Sequence, residues 1–143
     1  MERHDLPVVS SLIERLARHH GDQPRIELAS LEADLFTPAP WVHGLVVERF
    51  GFVVGYAMMT QRYRAQFSQR GLDLHHLFVI EGSRGLGLGK ALVEAVVDFA
   101  KQADCGFLMV GAQAENRHAQ GFYSALGFEP RDHAGTGFAM SLQ

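Results

Sequence analysis

The sequence predicts an α/β domain with a mixed, mostly antiparallel central sheet flanked by helices, and three observations carry that prediction. An amphipathic helical pattern opens the chain. Two β-rich runs about Arg49, Phe50 and Gly51 read as an antiparallel hairpin. A strand, a glycine-rich turn, a helix and a second strand then follow as a βαβ unit, whose crossover is right-handed and whose strands are parallel.

In "DLPVVSSLIERLARHH", Leu6, Val9, Leu12, Ile13 and Leu16 recur at three- and four-residue intervals. Asp5 stands at the N-cap position and Pro7 in the first turn, so a helix is expected there. A shorter helix is expected over residues 30–36, ended by "TPAP" because proline cannot continue the ladder. "GLVVERFGFVVGYAMM" supplies the hairpin and "LDLHHLFVI" the next strand. After the glycines, Leu92, Ala95, Val96, Phe99 and Ala100 line one helical face, and "CGFLMVGA" returns as a buried type of strand. In "NRHAQGFYSALGFEP", Ala119, Phe122, Tyr123 and Leu126 form a last short helix that Gly127 stops. "TGFAMSL", residues 136–142, is expected to close the sheet as a final strand.

The chain has 143 residues, enough for one sizeable core, and no repeat or long linker divides it, so a single domain over residues 1–143 is expected. A hydrophobic share of 47% with 20% charged residues is globular, and no apolar run is long enough to span a bilayer. Acidic residues outnumber basic ones 16 to 13, a balance that argues against a nucleic-acid partner. The single cysteine, Cys105, has no internal disulfide partner, and core packing is its expected role. With no export leader in the pattern, the expected compartment is the cytoplasm.

The turn "SRGLGLGKAL" concentrates Gly85, Gly87 and Gly89 at the mouth of a helix. Three glycines there cost roughly 0.5–1 kcal/mol each relative to alanine wherever they enter the helix, more than tight packing alone explains. Bare main-chain N–H groups at a helix N-terminus form an anion cradle, suited to phosphate or pyrophosphate. Spacing demotes two common phosphate users. Arg84 stands where the first glycine of GxxxxGK[ST] belongs and Ala91 where Ser or Thr belongs, and GxGxxG lacks its third glycine from either start.

Arg84-x-x-Gly87-x-Gly89 does match the [QR]xxGx[GA] signature, and "LFVIEGSRGLGLGKAL" resembles the strand, loop and helix of the GNAT superfamily of N-acetyltransferases. "NRHAQGFYSALGF" resembles the second signature of that superfamily at Asn116, Ala119, Phe122, Tyr123, Gly127 and Phe128. The resemblance implies an acetyl-CoA-dependent N-acetyltransferase without a metal, its sheet splayed at the acetyl-CoA site. The amides of Arg84, Gly85, Leu86, Gly87, Leu88, Gly89 and Lys90 would then take the pyrophosphate, with side-chain charge from Arg84 or Lys90. Backbone atoms of Leu77, Phe78 and Val79 would pair with the pantetheine amides, and Asn116 would cap its helix and lie along the pantetheine arm.

Tyr123 resembles the family's general acid: a phenol of pKa about 10 stays protonated at neutral pH and can donate to a thiolate of pKa about 8.5. An alkylammonium of pKa about 10.4 is only about one part in a thousand neutral at pH 7.4, so a proton acceptor is needed. His75 and His76, on the strand leading to the cofactor, have the ordinary pKa of about 6.5 suited to that work, with Glu48, Glu81 and a water chain as competitors. Strand alternation sends the two histidines to opposite faces. That divergence and the lack of HExxH or CxxC argue against a metal site.

Over most of its length the layout resembles the spermidine/spermine (diamine) acetyltransferase branch. Where that branch shows an acidic pair, in "LEDLYV", this chain has His75 and His76, and His20 replaces an acidic residue near the end of the first helix. Asp22, Glu27, Glu32, Asp34 and Asp73 remain as sources of negative charge for a polyamine-like, amino-acid or thialysine-like primary amine. A non-catalytic acyl-CoA sensor, or acetylation of a protein amine, are the alternatives. Members usually open with a strand, whereas "MERHD" begins almost at the first helix, so the first strand is expected to be missing and the exposed sheet edge to be covered in a homodimer.

Overall fold

The computed structural model describes residues 1–112, 115–131 and 135–142. Two compact units divide the chain, Met1–Gly111 and Ala112–Gln143. The first unit holds helices α1 (Leu6–His19), α2 (Leu28–Leu35) and α3 (Leu88–Gln102), and strands β1 (His43–Arg49), β2 (Phe52–Arg64), β3 (Gln69–Val79) and β4 (Phe107–Val110). The strands form one sheet in the order β1-β2-β3-β4. The first two pairings are antiparallel and β3 pairs β4 in parallel, so the sheet is mixed and mostly antiparallel, as its sequence predicts.

Helix α1 buries Leu6, Val9, Leu12 and Leu16, the three- and four-residue stripe of its sequence. Burial of each such side chain is worth about 1.5–3 kcal/mol, so this stripe fixes the helix on the sheet. Its core partners include Tyr56, Met58 and Phe78. Asp5 occupies the N-cap position, but its carboxylate accepts the Glu2 N–H at 2.8 Å and so caps the preceding turn, Arg3–Asp5, instead. The far end closes by a Schellman arrangement. Gly21, at φ +83°, lets its own N–H reach the Arg18 carbonyl and the Asp22 N–H reach that of Ala17.

Met58 and Met59 are adjacent on β2 and face opposite sides. His43, opposite Met59, rests its ring against Phe99 of α3 at 4.9 Å, so α3 covers the face that α1 does not. Along α3, Leu92, Val93, Val96 and Ala100 are buried, whereas Ala95, expected on the inner face, is exposed. Helix α2 starts two residues earlier than expected, at Leu28, because Leu31 and Leu35 rather than the flanking prolines decide its packing. Cys105 is half-buried at the entry to β4 rather than within the core.

The second unit contains α4 (Arg117–Ala125), capped by the Asn116 side chain, which accepts the Ala119 N–H at 3.1 Å. Gly127, at φ +96°, follows its end. Residues 136–142 form no strand, against the expectation from their sequence. Alternation of Phe138, Met140 and Leu142 supplies a strand-like pattern, yet these three side chains are 95%, 84% and 91% exposed.

Gly71 faces Phe107 across the parallel ladder, and a Cβ there would strike the Phe107 ring, whose accessible face lies 3.8 Å under the Arg64 guanidinium. Gly71→Ala is therefore expected to cost about 1–3 kcal/mol, read as a lower urea midpoint at unchanged slope.

Candidate active site

Strand β3 is paired on both sides only along part of its length. Its antiparallel register with β2 runs from Gln69 to Val79, whereas the parallel register with β4 starts at Gly71–Phe107 and stops at Leu74–Val110. Gly111 no longer pairs, and β3 runs on for residues 75–79 with one side of its backbone outside the ladder. Leu77, Phe78 and Val79 all lie in this splayed stretch, with Phe78 and Val79 buried and Leu77 half-buried.

A short turn, Glu81–Ser83, leads from β3 into the glycine segment. Gly85 and Gly87 have φ of +78° and +77°, and a Cβ on either would meet nothing within 4 Å. Backbone conformation, rather than crowding by the protein, therefore requires glycine at both positions. The α3 ladder opens with the Ala91 N–H on the Gly87 carbonyl, which leaves the amides of Leu88, Gly89 and Lys90 without an intrahelical acceptor. Among the described residues, the amides of Gly85, Leu86 and Gly87 also have no backbone acceptor.

Arg84 differs from expectation. Its N–H already donates to the Glu81 carbonyl at 3.2 Å, so the free amides run over residues 85–90. Its side-chain Nε donates to the Val79 carbonyl at 2.9 Å while the guanidinium lies 5.6 Å from the Phe78 ring centre. Arg84 thus staples the turn to the end of β3. Lys90 is exposed, 3.8 Å from the Glu94 carboxylate one turn on, a weak surface pair.

His75 and His76 do not diverge. The β2–β3 register shifts between Met58, opposite His76, and Met59, opposite Leu74, so His75 is an extra residue in β3. This bulge cancels one step of alternation and turns both histidines to the α1 face. Their rings stack with centroids 4.3 Å apart and planes 9° apart. His75 is exposed and His76 half-buried.

His76 Nδ1 lies 3.1 Å from the hydroxyl of Tyr56, a residue with no exposed surface. Burial, then the neighbouring His75 and His20, lower the His76 pKa to about 4, while Asp22 pulls the other way. Burial raises that of Tyr56. Of the acidic residues expected near an acceptor amine, Asp22 is therefore close enough to act on the pair, whereas Glu32 is engaged by Arg3 at 2.9 Å and Glu27 accepts from Ser30 at 3.2 Å. Tyr56 was not signalled by any motif. The available clue was a phenol within a run of apolar residues, since a buried hydroxyl needs a partner.

In the second unit, Tyr123 lies on α4, half-buried between Phe122 and Phe128 at 5.2 and 5.6 Å. Burial raises its pKa, so the phenol holds its proton well above neutral pH. Among the described residues, no group of three or more His, Cys, Asp or Glu gathers as metal ligands.

Residues 10–128 match the acetyltransferase (GNAT) family. The chain belongs to the GNAT family and is an N-acetyltransferase of that type. This GNAT protein is 30% identical over 126 residues to a thialysine N-epsilon-acetyltransferase from Bos taurus, a match covering 81% of this chain and 74% of that one. Its fold is similar to that of a ribosomal-protein-alanine N-acetyltransferase from Brucella melitensis biovar Abortus 2308, with a TM-score of 0.80, 18% identity and coverage of 98% of this chain and 96% of that one. It is also similar to an aminoglycoside N-acetyltransferase in complex with CoA, with a TM-score of 0.79, 22% identity and coverage of 99% and 97%. No described helix of the GNAT chain is long and apolar enough to cross a membrane.

Two outcomes follow for this site. A histidine with a depressed folded pKa binds fewer protons when native than when unfolded, so its contribution is present above the unfolded value of about 6.5 and is lost as pH falls towards about 4. Replacing His76 by Asn should flatten the fall in urea midpoint across that window, which paired denaturation series measure. Gly87→Ala, which forces an alanine into a left-handed conformation, should weaken acetyl-CoA binding by about tenfold or more, read by calorimetry.

Proposed function

We propose that the 143 residues act as one domain that transfers the acetyl group of acetyl-CoA to the primary amine of a small molecule, by direct attack in a ternary complex. The observation that carries this reading is the side of residues 75–79 that lies outside the β4 ladder, its Val79 carbonyl held by Arg84, leading into the free amides of residues 85–90. The residues fit the donor: the glycine amides match an anionic diphosphate, and an open strand side matches an amide-bearing arm. Bound there, acetyl-CoA supplies an activated thioester acyl group.

The amides of residues 85–90 hold the diphosphate, and Leu77, Phe78 and Val79 align the arm through their main chain. The histidine pair takes a proton from the acceptor ammonium, making its nitrogen nucleophilic. Tyr123 gives a proton to the departing thiolate, and Asn116 shapes the start of its helix. The acceptor class follows from charge. Replacement of an acidic pair by His75 and His76, with Asp22 beside them, suits an amine carrying one positive charge near its reacting end better than an extended polycation. The name of the bovine relative adds weight to a thialysine-like or amino-acid amine over a polyamine. The protein acts in the cytoplasm, and as a homodimer that covers an outer strand of the sheet.

Release of free thiol from acetyl-CoA, measured across thialysine, lysine, other amino acids and polyamines, tests the reading. Turnover should be highest with a thialysine-like or amino-acid amine. Tyr123→Phe should lower kcat by about 10²–10⁴-fold with acetyl-CoA binding retained. Binding of acetyl-CoA without turnover on any amine would instead mark an acyl-CoA sensor.

A further inference from the structure

The hydrogen bond between Tyr56 and His76 divides the work of the two stacked histidines. We infer that Tyr56 locks His76 as a neutral imidazole with its proton on Nε2, so that His75 is the member of the pair that receives the proton from the acceptor amine. This rests on the reading of the pair as proton acceptor.

Tyr56 is fully buried, and among the described residues its hydroxyl has one partner, His76 Nδ1 at 3.1 Å. A phenol has one proton to place. If Nδ1 carried the hydrogen and donated to the phenol oxygen, the O–H would be left buried without an acceptor. The satisfied arrangement has the O–H donating to the Nδ1 lone pair, which puts the imidazole proton on Nε2. Ionisation of Tyr56 offers no escape, since burial disfavours its phenolate.

A second proton on His76 would have to occupy Nδ1 and displace the Tyr56 hydroxyl. The surrounding groups also oppose it. His75 stacks on it from β3 and His20 acts from the end of α1, with Asp22 opposing them, while Arg15 of α1 rests 5.8 Å from the neighbouring Phe78 ring. His75 is exposed and has no hydrogen bond to a protein acceptor among the described residues, so a ring nitrogen is free to receive a proton and pass it to water. In the step, an ammonium N–H bond breaks, its electron pair stays on the amine nitrogen, and an N–H bond forms on His75. His76 presents a neutral ring face to the resulting imidazolium, which a second cation at 4.3 Å would repel.

Ring-nitrogen NMR of the full-length protein, uniformly labelled with nitrogen-15 and free of acetyl-CoA and amine, tests this without turnover. His76 should show an unprotonated Nδ1 and a protonated Nε2 throughout about pH 8 to 5.5. Tyr56→Phe should release His76 into a mixture of tautomers, bring its titration into that range and broaden the acidic limb of the kcat profile. Nδ1–H on His76 in the native protein, or protonation of His76 within that range, overturns the inference. If Tyr56→Phe does not fold, the wild-type tautomer of His76 and the pH range over which it persists decide it. Failure of the underlying reading looks different: undiminished turnover in His75→Gln removes the pair from the reaction even when the spectra come out as expected.

Discussion

The structure depends on where β3 stops being paired on both sides. From Gly71 to Leu74 its main chain is satisfied by β2 on one side and β4 on the other, and beyond Leu74 only the β2 ladder persists. Main-chain N–H and C=O groups must find partners, so the open side of residues 75–79 is a polar strip beside apolar side chains. The glycine turn continues it. Positive φ at Gly85 and Gly87 turns the chain into α3 so that successive amides reach the helix start without partners of their own. Arg84 couples the two halves by tying the turn to the Val79 carbonyl. A ligand that satisfies both halves has an anionic group at one end and an extended amide-bearing chain at the other, which is why the donor is better specified than the acceptor.

One inserted residue decides which face of the sheet the two histidines share beside that strip. Without the bulge at His75, His76 would face α3 and His75 would face α1 alone. With it, two imidazoles share one face, and the buried Tyr56 hydroxyl sits within reach of the inner one. Stacked titratable rings resist double protonation, so a pair of identical residues acquires two different characters from burial and one hydrogen bond. The Schellman end of α1 adds His20 and Asp22 to that neighbourhood, and Gly21 makes the placement possible.

The sequence made the helices and the left-handed glycine turn legible because their determinants are local. Leu6, Val9, Leu12 and Leu16 declare a face by spacing alone, and Gly85 and Gly87 declare left-handed backbone by residue type. Helix α4 and its Asn116 cap were readable for the same reason. What escaped depends on partners distant in sequence. A register shift against Met58 and Met59 is invisible in "LHHLF", so the histidines read as divergent. Alternation in residues 136–142 signals strand propensity, but a strand needs a neighbour to pair with. Val93 replaced Ala95 on the inner face of α3 because local periodicity fixes a helical stripe only to within a residue or so. The role of Tyr56 required knowing which side of the sheet His76 occupies.

Hydrogen–deuterium exchange of backbone amides, compared with and without saturating CoA, tests the central claim most directly. Exchange should slow at residues 85–90 and at the β3 amides beyond Leu74 that β2 does not hold, with little change in the Gly71–Leu74 ladder. Unchanged exchange at both segments while CoA is bound, or protection confined to another part of the sheet, would contradict it.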